Sequence, residues 1–132
     1  MGLSATYDHD RAVALVLVGL RGSHPQRLTI HVAELDGGLD QRTTKRYQRA
    51  LENLAAKGVI AYDATLAHAA TFREVSLTDS GAALLSHVPH ADGQTHAKRL
   101  ENALSAGSST LLRIAVDEVL TASEQRDRLQ AT

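Results

Sequence analysis

The chain contains no cysteine. Disulfides and thiolate-ligated metals are therefore excluded, and whatever stabilises the fold is noncovalent. Aromatic residues are nearly as scarce: Tyr7, Tyr47, Tyr62 and Phe72 supply 3% of the sequence, and tryptophan is absent. A core must then be assembled from Leu, Val, Ile and Ala, side chains that favour closely packed helices. No apolar run approaches the ~20 residues needed to span a bilayer. The longest, Ala12 to Val18, stops far short. The amino-terminal "MGLSATYDHD" has no basic segment leading into an apolar one, so no secretion signal is expected. Surplus charge is missing too: 14 Lys and Arg stand against 15 Asp and Glu, for a net charge of −1. That balance argues against a generally basic, nonspecific nucleic-acid binder but leaves room for a small basic face. With 43% hydrophobic and 22% charged residues, the 132-residue chain reads as a cytoplasmic globular protein with no membrane partner.

Signatures of catalysis are equally thin. There is no glycine-rich phosphate loop, no Gly-x-Ser-x-Gly elbow and no His-Glu-x-x-His pair, so neither an enzyme nor a cofactor is expected. His87, His90 and His96 cluster with Asp92 in "HVPHADGQTH". Their spacing falls in a linker-like stretch rather than on one helical face, which favours solvent-exposed loop histidines over a metal site.

What the sequence does contain is mainly helical pattern. "DRAVALVLVGL", Asp10 to Leu20, is apolar on nearly every side and predicts a central helix stopped by Gly22. After the turn at Pro25, "LTIHVAELDGG" predicts a short helix capped by Thr29 and ended by Gly37 and Gly38. "LDQRTTKRYQRALENLAAKGVI", Leu39 to Ile60, is the clearest helix: Tyr47, Ala50, Leu51, Leu54 and Ala55 share one face, Asp40 caps it, and Gly58 ends it. "VIAYD" and "TFREVSL" then predict a β-hairpin with a long tip, "ATLAHAA", and Thr78 caps a following helix. Beyond the linker Pro89 to Thr95 lie two more amphipathic helices, the second with a stripe of Leu111, Leu112, Ala115, Val116 and Val119. The expected fold is mainly α with a small β-hairpin. Two segments are expected: a domain over residues 10–88 and a carboxy-terminal helical segment over 95–132.

The third predicted helix carries the chemistry. Four cations, Arg42, Lys45, Arg46 and Arg49, fall within eight residues, against Asp40 and Glu52 alone. Solvated helices usually interleave signs to gain pairs four residues apart. Here Arg42, Lys45 and Arg49 lie at i, i+3 and i+7, opposite the leucine face, with Arg46 on one flank and Gln41 and Gln48 on the other. The DNA major groove, about 12 Å wide, admits one helix; Arg and Lys pair with guanine edges and Gln with adenine. A short helix, a glycine turn and a longer basic helix make the helix-turn-helix order.

"RYQRALENLAAKGVIAYD" followed by "FREVSLTDSGAALL" resembles the winged helix-turn-helix superfamily of transcription regulators, MarR-like and PadR-like proteins in particular. The matching positions are Leu54, Gly58, Val59 and Ile60 at the end of the recognition helix, then Leu77, Thr78 and Gly81 after the second wing strand. The resemblance covers about residues 10–88 and implies a winged helix-turn-helix DNA-binding domain. In the reading it supports, Arg42, Lys45 and Arg49 meet base edges, Arg46, Gln41 and Gln48 assist at bases or backbone, and Thr44 lies near a phosphate. Arg73, with His68 at the tip, would reach the backbone from the wing. The tip "DATLAHAAT" holds no Arg or Lys, which leaves affinity to the helix and to dimerisation. The stripe of Leu111, Leu112, Ala115, Val116 and Val119 can dock back on its own domain or seam against a second copy; proteins so built commonly pair through terminal helices, so a homodimer on a two-fold site is expected. The function expected is a sequence-specific double-stranded DNA-binding repressor. The alternative is a winged-helix module for protein interaction or assembly, and a third reading adds a small-molecule effector between the domain and the terminal helices.

Overall fold

The computed structural model describes residues 2–36, 38, 40–63 and 71–130, and the side chains of those between 7 and 125. Helix α1 (Gly2–Ser23) is followed by strand β1 (Leu28–His31), one 3-10 turn (Val32–Glu34), helix α2 (Gln41–Ala56), strands β2 (Ile60–Ala61) and β3 (Thr71–Leu77), and helices α3 (Asp79–Ser86), α4 (His96–Ala106) and α5 (Ser109–Gln130). The fold is mainly helical with a small antiparallel sheet in the order β1–β3–β2.

Helix α1 is the centre of the molecule. Ala12, Val13, Ala14, Val16, Leu17 and Leu20 are all buried, so the helix is apolar on most of its circumference. Such a helix must be covered from several sides. It is: α2, α4 and α5 all pack on it. The helix is longer than the sequence reading, since it begins at Gly2. Nor does Gly22 stop it. Gly22 lies inside α1 and is not among the glycines with positive φ, and the chain turns after Ser23 at a cis His24–Pro25 peptide.

The expected short helix at Thr29 is corrected to strand and turn. Leu28 to His31 pair with β3 through Leu28↔Val75, Ile30↔Phe72 and His31↔Thr71. The physical reason lies in the sequence "LTIHV": three β-branched residues in five have little helix preference, and a waiting strand edge rewards their extended form. Among the described residues of this segment only Val32–Glu34 wind, as a single 3-10 turn, and Gly37, expected to end the helix, lies outside the described residues. Between Leu28 and Ile30 the register slips against β3, where Glu74 takes a left-handed φ of 57°. This bulge turns both Arg73 and Glu74 to solvent instead of alternating them.

Two sequence motifs meet at one atom. Helix α2 ends in paired hydrogen bonds, Val59 N–H to Leu54 O and Gly58 N–H to Ala55 O, each 3.0 Å, with Gly58 at φ 76°. These are the two bonds of a glycine-terminated helix, and both Leu54 and Val59 are buried beside them. The Val59 carbonyl then accepts from Thr78 N–H and from the Thr78 hydroxyl, both at 3.1 Å. Thr78 in turn caps α3, accepting from Gly81 N–H at 2.9 Å. A Cβ on Gly81 would stand 2.1 Å from the Val59 oxygen, so only glycine fits.

The carboxy-terminal helices share this core. Ala97, Leu100 and Ala103 of α4 and Leu112, Ala115, Val116 and Val119 of α5 belong to the same buried cluster as the α1 and α2 residues. Residues 10–88 and 95–132 are thus joined by one core. Of the two covers open to the α5 stripe, the chain's own core takes Leu112, Ala115, Val116 and Val119, while Leu111 is 51% exposed and neighbours Ile114 at 45%. An amphipathic pattern specifies that a face is covered, not whose surface covers it. Among the described residues no helix is long and apolar enough to cross a membrane.

Candidate nucleic-acid interface

Helix α2 is built to hold one face down. Its amino terminus is fixed by Asp40, whose carboxylate accepts from Thr43 N–H at 2.7 Å. That bond, with help from Arg42 and Arg46 nearby, keeps the Asp40 carboxyl below its ordinary range. Tyr47, Ala50, Leu51 and Leu54 are buried, as the helical wheel requires. On the opposite side Gln41, Arg42, Lys45 and Arg49 are exposed. Together with Arg46 they line a shallow surface depression of about 420 Å³.

The cations are not equivalent. Among the described residues, no carboxylate lies within ion-pair distance of Arg42, Lys45 or Arg49. Arg46 differs: its Nη1 donates to Asp8 Oδ2 of α1 at 2.8 Å, with both side chains mostly buried. The expectation that Arg46 assists at bases or backbone is therefore qualified, because its charge is already matched. The Thr44 hydroxyl donates to Asp40 O at 2.8 Å, so it faces the helix start and offers only its lone pairs outward. Gln48 is half-buried on the flank. Arg73 is exposed on β3 beside Glu74, which itself reaches Arg27 at 3.5 Å. The expected wing tip, His68 included, lies outside the described residues.

A clamp that the sequence reading missed sets the pose of α2. Arg11 of α1 donates from Nε and Nη2 to the two oxygens of Asp36, at 2.5 and 3.0 Å. The buried Tyr47 donates its hydroxyl to Asp36 Oδ2 at 3.1 Å. One carboxylate thus ties the middle of α1 to the middle of α2. The Arg11 bond holds the Asp36 carboxyl below its ordinary range, and burial beside that carboxylate pushes the Tyr47 phenol above its own. One signal was available: a buried tyrosine on an otherwise aliphatic stripe needs a partner for its hydroxyl.

The histidines divide as well. His87 and His90 are exposed, and His90 Nε2 lies 3.2 Å from Glu118 Oε2. His96, expected in a loop, is instead the first residue of α4 and is buried with Nε2 unpartnered. Burial, then the neighbouring His87, lowers its pKa. The three line an open groove of about 370 Å³ against α5, where Glu118, Thr121 and Ala122 form the far wall. Among the described residues no three imidazole or carboxylate groups are placed to hold a metal ion.

No family model, no curated protein and no solved structure matches this chain.

Proposed function

We propose that this protein is a cytoplasmic winged helix-turn-helix transcription regulator, a repressor that binds specific double-stranded DNA as a homodimer. One observation carries the reading: Arg42, Lys45 and Arg49 share the exposed face of α2 with no carboxylate among the described residues paired to them, while Tyr47, Ala50, Leu51 and Leu54 anchor the back of that helix in the core. A polyanion is the partner that rewards such an arrangement, because neutralising phosphates releases condensed counterions. In this reading the three cations enter the major groove with Gln41 and Gln48 beside them. Arg73 lies to the side on the β2–β3 hairpin. The bases are read by bidentate donors and the phosphates by the remaining charge. Pairing of two copies would use the exposed Leu111 and Ile114 of α5, since the rest of that stripe is buried.

The test begins with selection of bound genomic fragments by the purified protein, followed by fluorescence anisotropy on the recovered duplexes. Affinity should fall steeply between ~50 and ~200 mM salt, and each base-reading Arg replaced by Ala should cost about 1–3 kcal/mol and relax one base position. If Arg42→Ala, Lys45→Ala and Arg49→Ala together leave binding to every recovered duplex unchanged, the assignment fails. The same exposed Leu111 and Ile114 favour a second reading, a protein-assembly module, for which association would change little with salt.

A further inference from the structure

The Asp8–Arg46 pair lies at the margin of the proposed DNA face, and its position has a consequence for how strongly that face attracts a duplex. Arg46 lines the same depression as Gln41, Arg42, Lys45 and Arg49, so its guanidinium belongs to that surface by placement. Yet its Nη1 is held at 2.8 Å by a carboxylate from another helix, 38 residues earlier in the chain. Exposure is 25% for Arg46 and 18% for Asp8, so the pair is shielded from most of the solvent that weakens surface ion pairs. The neighbouring cations of the helix have no such restraint among the described residues.

We propose that Asp8 is an internal brake on DNA binding: it occupies Arg46 in place of a phosphate and sets a fixed negative charge beside the basic face. The inference rests on the DNA-binding reading and specifies how that site is regulated. A carboxylate on Arg46 offers the same acceptor chemistry as a phosphate oxygen, so Asp8 and the duplex compete for one guanidinium. Held in this way, the face presents three mobile cations instead of four. The affinity lost is the counterion release of one phosphate contact. The loss falls on every sequence alike, because a phosphate contact carries no sequence information, so the brake lowers affinity and leaves specificity as it is.

Asp8→Asn removes the charge and keeps the shape. Anisotropy titrations on a recovered specific duplex and on an unrelated duplex, each across ~50–200 mM salt, read the outcome as the slope of log K against log salt. Asp8→Asn should steepen the wild-type slope by about 0.9 per protomer on both duplexes, the release expected for one added phosphate contact. The ratio of specific to unrelated affinity should stay unchanged, since the added contact is common to both duplexes. The double variant Asp8→Asn with Arg46→Ala should return to the wild-type slope, which ties the effect to Arg46. Thermal unfolding of each variant establishes that it is folded before its slope is read. If the wild type binds but Asp8→Asn leaves the slope unchanged, the brake is wrong and the DNA reading stands. If the double variant keeps the steeper slope, Asp8 acts only through its own charge and the occupation of Arg46 is wrong. If neither wild type nor Asp8→Asn binds any duplex, the DNA reading falls and the brake with it.

Discussion

Replacing Gly81 by alanine tests whether the Val59 carbonyl is the joint on which the α2 terminus and the start of α3 both close. The added Cβ would lie 2.1 Å from Val59 O and 3.0 Å from Val59 C, and both are backbone atoms that cannot rotate away. Ordinary contact begins near 3.4 Å, so the two segments must part by more than 1 Å. That displacement strikes the bonds from Thr78 N–H and Thr78 Oγ1 to Val59 O, and the cap from Gly81 N–H to Thr78 Oγ1. Overpacking alone costs about 1–3 kcal/mol, and losing a helix cap about 1 kcal/mol. A total of about 3 kcal/mol follows, a fall of roughly 10 °C in Tm for a domain of this size. Gly19 supplies the control: it lies inside α1 with nothing within 4 Å of a built Cβ. There the same substitution should stabilise by about 0.4–1 kcal/mol through the unfolded chain. Urea titration and thermal circular dichroism of both variants measure the contrast. Gly81→Ala within about 0.5 kcal/mol of wild type, against an error typical of such extrapolations, would refute the account of this joint.

Three further outcomes are expected. Asp36→Asn should lower stability at neutral pH by about 1–2 kcal/mol, because charge-assisted bonds to Arg11 and Tyr47 weaken. Since the folded Asp36 pKa is depressed from 3.8, its contribution is complete above that value and lost as pH falls through the folded pKa; the acid limb of a urea series should therefore flatten in the variant. His96 has a depressed pKa from an ordinary 6.5, so the folded state resists its protonation and stability should decline as pH drops below about 6.5; His96→Gln should remove that decline in the same series. Along α5, Leu112→Ala should cost about 2–5 kcal/mol, whereas Ile114→Ala, two residues on but exposed, should stay within about 0.5 kcal/mol by thermal unfolding.

The legible parts of the sequence were those where several local signals agree. Helix α2 had a capping aspartate, an apolar stripe and a terminal glycine at once, and Asp40, Leu54 and Gly58 sit as those signals require. Thr78 was legible for the same reason, although the need for Gly81 was not, because the clash involves a carbonyl 22 residues away. Strand β1 reads as helix because Thr29 can cap and Ile30, Val32, Ala33 and Leu35 place apolar contacts at helical spacing, and only the partner β3 decides between the two. Arg46 looked like its three neighbours because a wheel shows direction, not partners; Asp8 is remote in sequence. The α5 stripe marks a covered face without naming its cover, since periodicity contains no information on which surface does the covering; Leu112, Ala115, Val116 and Val119 join the core of their own chain.

The packing of α2, α4 and α5 on the one helix α1 means that the molecule cannot be divided at its apparent linker. A fragment ending near Pro89 would leave α1 half unroofed, its alanines and valines facing water where the last two helices had lain. Helices α2, α4 and α5 therefore lean on one shared support, and a transplant of α2 with α1 must bring the last two helices along.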